Sequence, residues 1–449
     1  MTGSRVAHHA SRLRLSACLV LLAAPMAARA GEGQPQAKPR FQLSLREAID
    51  KLPFRTHGFF EVRAGTRTQK DRRISETASI AEARLQLELS KVLEVGELRP
   101  ELRVKADLLY DAVVENATVD LREAYVLASP LEIVDLKLGR QILTWGTGDL
   151  LFINDLFPKD WRSFFIGRDD EYLKAPSDAG KASFFFDVVN VDLVYTPRFR
   201  ADDYIDGDRL SYWSDALGRR AGEYNKVADA DPDDWIDDDE IAVRLYRNIR
   251  GYEVALYGYH GCWRTPAGMN PATRRATFPD LSVVGASVRG AVLRGIGNIE
   301  IGYYHSRDDD GGTSPFVRNS EFRALIGYER ELARNFTAGL QYYLEWMMDY
   351  DAYRRGARAM GIHPRDEVRH LATVRLTRLL WNQNLKLSLF AYYSPTDDDA
   401  YLRPEVHYKI DDHWSAEVGG NIFLGAHDHT FFGMFERNTN AYLGLRYSF

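Results

Sequence analysis

The stretch YYHSRDDD, Tyr303 to Asp310, brings an imidazole, a hydroxyl and three carboxylates into one short span. These are groups from which a nucleophile and its base could be assembled. His305 and Ser306 are consecutive, however, so on a strand they point to opposite faces and cannot share a proton. No H-E-x-x-H, C-x-x-C, G-x-S-x-G or phosphate loop occurs, and the sequence argues against an enzyme. A second cluster, DADPDDWIDDDE over 229–240, offers Asp229, Asp231, Asp233 and Asp237 as oxygen ligands for Ca2+. It lacks the spacing and glycine of an EF-hand loop, so a solvated acidic rim is favoured and no cofactor is expected. His260, His370 and His407 read as lining or interface residues.

Most other charges follow a rule. In ARLQLELSK, Leu85, Leu87 and Leu89 alternate with Arg84, Gln86 and Glu88; in ELRVKADLLY, Leu102, Val104, Ala106 and Leu108 alternate with Arg103, Lys105 and Asp107. LKLSLFAYY and YLRPEVHYKI repeat the pattern near the end of the sequence. A period of two is the signature of strands. With the polar faces turned into a cylinder, Arg84, Arg103, Lys105, Asp107, Arg122, Lys137, Arg323, Arg375, Arg403, Glu405 and Lys409 become pore-lining. Acids and bases nearly balance over the inward positions, which implies a watery wall without a charge preference.

The elements that must position these residues are antiparallel strands joined by unequal links. Eighteen strands are expected from about residue 57 onward, with sixteen as the alternative; the short segments 182–188 and 191–197 are where the count turns. Links such as NIRG, RGIG, ARN, WNQN and DDH are tight turns, whereas 145–181, 198–238, 263–280, 307–320 and 348–367 are long and charged. This asymmetry is that of an all-β transmembrane up-and-down barrel with short periplasmic turns and long external loops. Mean hydropathy is only −0.36, which suits a barrel because only alternate residues face lipid. Aromatics at strand ends, among them Tyr303-Tyr304, Tyr342-Tyr343, Tyr392-Tyr393, Trp346 and Trp414, are expected to form two girdles. By parity Glu123 and Arg140 fall on the lipid face, where an unpaired arginine costs roughly 2 to 4 kcal/mol, so a bulge or a mutual ion pair is predicted.

Residues 1–30 read as a secretory signal peptide, with Arg5, Arg12 and Arg14, an apolar run from Leu15 to Ala24, and Ala28-Arg29-Ala30 as the cleavage site. Its removal takes four arginines and shifts the formal net charge from −6 to −10, a poor balance for nucleic acid. Cys262 is then the only thiol, so no internal disulfide can form. Residues 31–55 are read as a periplasmic segment in which Ser44 and Glu47 make the capping box of a short helix ending before Pro53. Residues 56–449 form the barrel, and the expected location is the outer membrane.

The third external loop is too apolar to float free, with Leu150, Phe152, Ile153, Phe157, Trp161, Phe164 and Phe165. Folded inward, it would narrow the channel and display Asp155, Lys159, Asp160, Arg162 and Arg168. The strand YLGLRYSF is expected to pair with the first strand and close the cylinder, since a free edge is untenable in lipid. Tyr447 and Phe449 resemble the signal read by the machinery that inserts outer-membrane barrels. These features predict a passive channel for small polar or charged solutes; an export pore and a structural barrel closed by its loops are the alternatives.

The hairpin LREAYVLASPLEIVDLKLGRQILTWG, over 121–146, is similar to that of porin-like barrels of the alginate-export type. The resemblance implies eighteen strands, a periplasmic export partner, and passage of an anionic polysaccharide along Arg84, Arg103, Lys105, Arg122 and Arg140. The near-equal number of inward acids departs from that pattern.

Overall fold

The computed structural model describes residues 54–96, 98–215, 217–230, 232 and 234–449. The expected leader and the helix beginning at Ser44 lie outside the described residues. Eighteen strands form one sheet: β1 (Arg55–Arg67), β2 (Ala78–Val92), β3 (Glu101–Asp111), β4 (Asn116–Leu131), β5 (Val134–Ile142), β6 (Pro176–Phe185), β7 (Asn190–Thr196), β8 (Glu240–Ile249) and β9 (Tyr252–Cys262), then β10 (Asp280–Val292), β11 (Gly295–Ser306), β12 (Glu321–Ala333), β13 (Phe336–Met347), β14 (Val368–Leu380), β15 (Leu385–Ser394), β16 (Asp399–Lys409), β17 (Trp414–Gly425) and β18 (Asn440–Ser448). Each strand pairs antiparallel with its neighbour, and β18 pairs with β1 from Phe59 opposite Ser448 to Arg67 opposite Asn440. The cylinder is therefore closed. The segments 182–188 and 191–197 belong to two strands, β6 and β7, which pair from Gly180 opposite Tyr195 to Phe185 opposite Asn190.

Alternation decides the two faces. Leu108, Leu138, Leu256, Ile299, Leu340, Val418 and Leu443 are exposed on the outside, while Glu61, Arg63, Arg84, Asp107, Glu300 and Arg403 are buried on the inside. The aromatic doublets split between these faces. Tyr303, Tyr342 and Tyr393 point outward, with Trp346, and their neighbours Tyr304, Tyr343 and Tyr392 are buried inward. Tyr252, Trp381, Tyr408 and Trp414 form the matching exposed set near the short turns.

Strand β4 carries the bulge expected from parity. Its register against β3 slips between Lys105 and Ala106, so that Lys105 faces Glu123 while Ala106 faces Leu121. The extra residue is Arg122, and the bulge turns both it and Glu123 inward; Glu123 then lies 3.4 Å from Arg103. Arg140 stays on the outer face, as parity requires. Its partner is Asp178 of β6, at 2.7 and 2.8 Å, and not Glu123.

The apolar core lies inside the cylinder. Leu151, Ile153, Phe157, Phe164, Phe165 and Ile166 of the loop between β5 and β6 pack on Leu281, Tyr304, Leu325, Tyr343, Tyr392, Tyr401 and Phe423 of the wall.

Candidate functional site

The loop between β5 and β6, residues 143–175, crosses the lumen and is tied to the wall around most of its circumference. Its first anchor is Glu300 on β11. That carboxylate accepts from Thr147 N at 2.7 Å, Thr147 Oγ1 at 3.0 Å, Gly148 N at 3.1 Å, Asn154 N at 2.7 Å and Asn154 Nδ2 at 3.0 Å. Gly146, at φ +81°, allows this approach, because a Cβ there would sit 2.8 Å from Glu300 Oε1. Next, Gln341 of β13 both accepts from Asp149 N (2.7 Å) and donates to Asp149 O (2.8 Å). Arg375 of β14 holds the Asp149 carboxylate through two bonds, and Tyr392 of β15 donates to Leu150 O at 3.0 Å.

The middle of the loop is the helix α1 (Trp161–Ile166), capped by Asp160, whose carboxylate accepts from Ser163 N at 2.7 Å. It ends at Gly167, φ +93°, where a Cβ would meet the Tyr442 ring at 2.2 Å. Phe164 and Phe165 pack edge-on against Tyr401 of β16, and Phe165 does the same against Phe423 of β17. Beyond the helix, Arg63 of β1 donates to Gly167 O at 2.7 Å. Arg446 of β18 reaches Asp169 at 3.2 Å, and Arg403 of β16 reaches Asp170 at 2.7 Å. Tyr172 lies under Arg84 and Arg122, with guanidinium carbons 4.0 and 4.9 Å from its ring centre. Arg122 donates to the carbonyls of Glu171 and Lys174, and Lys105 meets the Glu171 carboxylate at 3.3 Å.

The inward turn of the loop agrees with its apolar sequence, but its charges are not displayed to a channel. Asp155 and Lys159 form a buried pair at 3.0 Å, Asp160 caps the helix, and Arg168 binds Glu82 of β2 at 2.6 Å. Burial disfavours the Arg168 charge, but Glu82, Asp160 and Asp111 outweigh it and raise its pKa. Arg162 alone of the five keeps about a third of its side chain exposed, 3.7 Å from Asp203.

Many of the wall residues are likewise struts. Arg84, Lys105, Arg122, Arg375 and Arg403 contact the loop. Arg84 also pairs with Asp107, whose side chain is fully buried. Arg103 pairs with Glu88 at 2.8 Å, Arg323 lies between Glu321 and Glu345, and Glu405 pairs with Lys386 at 2.7 Å. Lys137 lies over the Tyr125 ring at 3.9 Å. Lys409 is exposed at the short-turn rim beside Asp412. Sequence reasoning missed Glu82, Asp149, Asp169, Asp170 and Glu171; Glu82 was legible, since the alternation through Arg84 and Gln86 extends back to it.

A second loop, 197–239, braces the first. Asp202 accepts from Lys159 N at 2.8 Å and Trp161 Nε1 at 2.9 Å, and Asp203 N donates to Lys159 O at 2.8 Å. Burial, reinforced by Asp160 and opposed by Arg200 and Arg162, pushes the Asp203 carboxyl up to about 6. Of the acidic rim, Asp229 accepts from the Tyr204 hydroxyl and Asp237 is exposed; Asp231 and Asp233 lie outside the described residues. Above the crossing loop lies a vestibule of about 1720 Å3, and its wall residues, such as Leu281, Arg323, Glu345, Arg369 and Tyr401, all come from the long-loop ends of their strands.

No family model matches this sequence, and no curated protein does either. Solved structures do. OccAB3 of Acinetobacter baumannii superposes with a TM-score of 0.52 at 10% identity, covering 88% of this chain and 99% of the other. The fold is a porin-like barrel. OccK11 (OpdR) of Pseudomonas aeruginosa gives 0.51 at 10% identity, over 88% and 95%. A porin of Rhodopseudomonas blastica covers the same share of this chain with a TM-score of 0.39, too low to carry an argument. At these identities the likeness concerns the fold alone.

Proposed function

We propose that the chain is an outer-membrane channel for small polar or charged solutes, delivered across the inner membrane by residues 1–30. The observation that carries this reading is the combination of an apolar exterior with an inner wall of charged and hydrogen-bonding side chains in a closed cylinder of eighteen strands. Barrels of this size enclose an aqueous space, and the loop crossing it sets the size of what passes. The crossing loop presents fixed backbone and ion pairs, which suits passive sieving better than chemistry.

The closed-barrel alternative draws on one specific observation, the confinement of the vestibule lining to the long-loop ends of the strands. Polyanion export has less support, because Arg84, Arg103 and Lys105 are paired with acids, Arg122 is bound to loop carbonyls and Arg140 faces outward. Liposome swelling with sugars of graded size and charge tests the three. Swelling with small sugars supports the channel. Its absence in the full chain, with swelling after deletion of 146–174, supports a sealed barrel.

A further inference from the structure

The vestibule carries a cluster that the channel reading does not use. His363 follows the helix α2 (Tyr350–Ala359), and His427 and His429 lie in the loop between β17 and β18. The ring centres of His363 and His429 are 4.7 Å apart, and those of His427 and His429 are 5.5 Å apart. All three are exposed to the vestibule, and no imidazole nitrogen among them has a hydrogen-bond or ion-pair partner among the described residues.

Their backbones, in contrast, are fixed. Arg220 donates to Asp428 and to Gly433 O, both at 2.9 Å, and Thr430 Oγ1 donates to His427 O at 3.0 Å. On the other side, Ile362 N closes the end of α2 onto Ala357 O at 2.9 Å. The fold thus holds three unengaged nitrogen bases together at the vestibule wall, with the His429 ring also 6.1 Å from that of Trp213.

Two imidazoles on one ion, with metal to nitrogen distances of about 2.0 to 2.1 Å, place their ring centres about 5 Å apart. The two separations, 4.7 and 5.5 Å, bracket that value. Among the described residues no group of three or more His, Cys, Asp or Glu side chains stands placed to hold a metal ion, so the three rings must rotate to meet. Imidazole selects zinc, nickel and copper over calcium or magnesium, which take oxygen ligands.

We propose that His363, His427 and His429 bind one late first-row divalent ion at the vestibule wall, with the remaining coordination positions open to water or solute. The full-length barrel in detergent is dialysed against micromolar zinc chloride and the retained metal counted; copper(II) loading is followed by electron paramagnetic resonance. The expected result is one zinc per chain and a copper spectrum with imidazole nitrogen splitting. H363A and H429A should each weaken binding by roughly tenfold or more, about 1.4 kcal/mol per decade. Heat-modifiable migration on gels confirms that each variant is still a barrel. No retained zinc in the unaltered protein, unchanged retention in the triple alanine variant, or a copper spectrum without nitrogen splitting would each overturn the proposal.

Discussion

Arg168 grips both carboxylate oxygens of Glu82, at 2.6 Å through Nη2 and 3.0 Å through Nε. Arg84 and Arg209 lie within 3.4 and 3.6 Å of the same carboxylate, so one buried anion serves three guanidiniums. Glu82→Gln leaves those cations around a neutral amide, and removing one partner of a buried pair costs roughly 3 to 5 kcal/mol. The temperature at which the barrel loses its heat-modifiable gel migration should fall; an unchanged temperature would show that the triad contributes nothing.

Glu300→Ala removes the acceptor of five hydrogen bonds at the root of the crossing loop. Bonds to a charged group contribute roughly 1.5 to 3 kcal/mol each, so residues 146–154 should detach locally while the strands stay paired. Single-channel recording is expected to show larger and noisier conductance steps than the unaltered protein.

Asp203 gives a dependence on pH. Its folded pKa, about 6, lies above that of an ordinary aspartate, so its contribution is complete below about pH 4 and is lost as pH rises through 6. The contact of loop 197–239 with Lys159 and Trp161 should therefore be tighter at pH 5 than at pH 7.5. Because about a third of the Asp203 side chain remains exposed, the effect belongs to the loop and not to the barrel. Protease cleavage within 197–239 should be slower at the lower pH, and Asp203→Asn should remove the difference.

Phe449 and Gly58 exchange backbone hydrogen bonds at 3.0 and 3.2 Å across the seam. Deleting Phe449 removes both bonds and the residue expected to be read at insertion. Outer-membrane levels of the deletion should drop, and wild-type levels would count heavily against this reading of Tyr447 and Phe449.

The strands and their faces were legible because lipid on one side and water on the other impose a strict period of two. The same regularity put Glu123 on the lipid face, and the bulge expected as the remedy is present at Arg122, where one extra residue reverses parity without changing composition. Arg140 was placed on the correct face but given the wrong partner, because Asp178 follows a loop of more than thirty residues. The inward turn of residues 143–175 could be read from their phenylalanines. That Arg168 would be consumed as a strut could not, since Glu82 lies on β2; the Asp155–Lys159 pair and the Asp160 cap are local, four and three residues apart, and stood within reach of the sequence. Nothing in the isolated residues His363, His427 and His429 announces a cluster; only the packing of two loops creates it.

The crossing loop also touches both sides of the seam. Gly167 O takes a bond from Arg63 on β1, Asp169 takes one from Arg446 on β18, and Glu61 and Glu417 complete the bridge. The loop is thus a clasp as much as a sieve: residues 167–169 help to hold the two ends of the sheet together. The closed cylinder thus rests on the filled lumen as well as on the backbone ladder between β1 and β18.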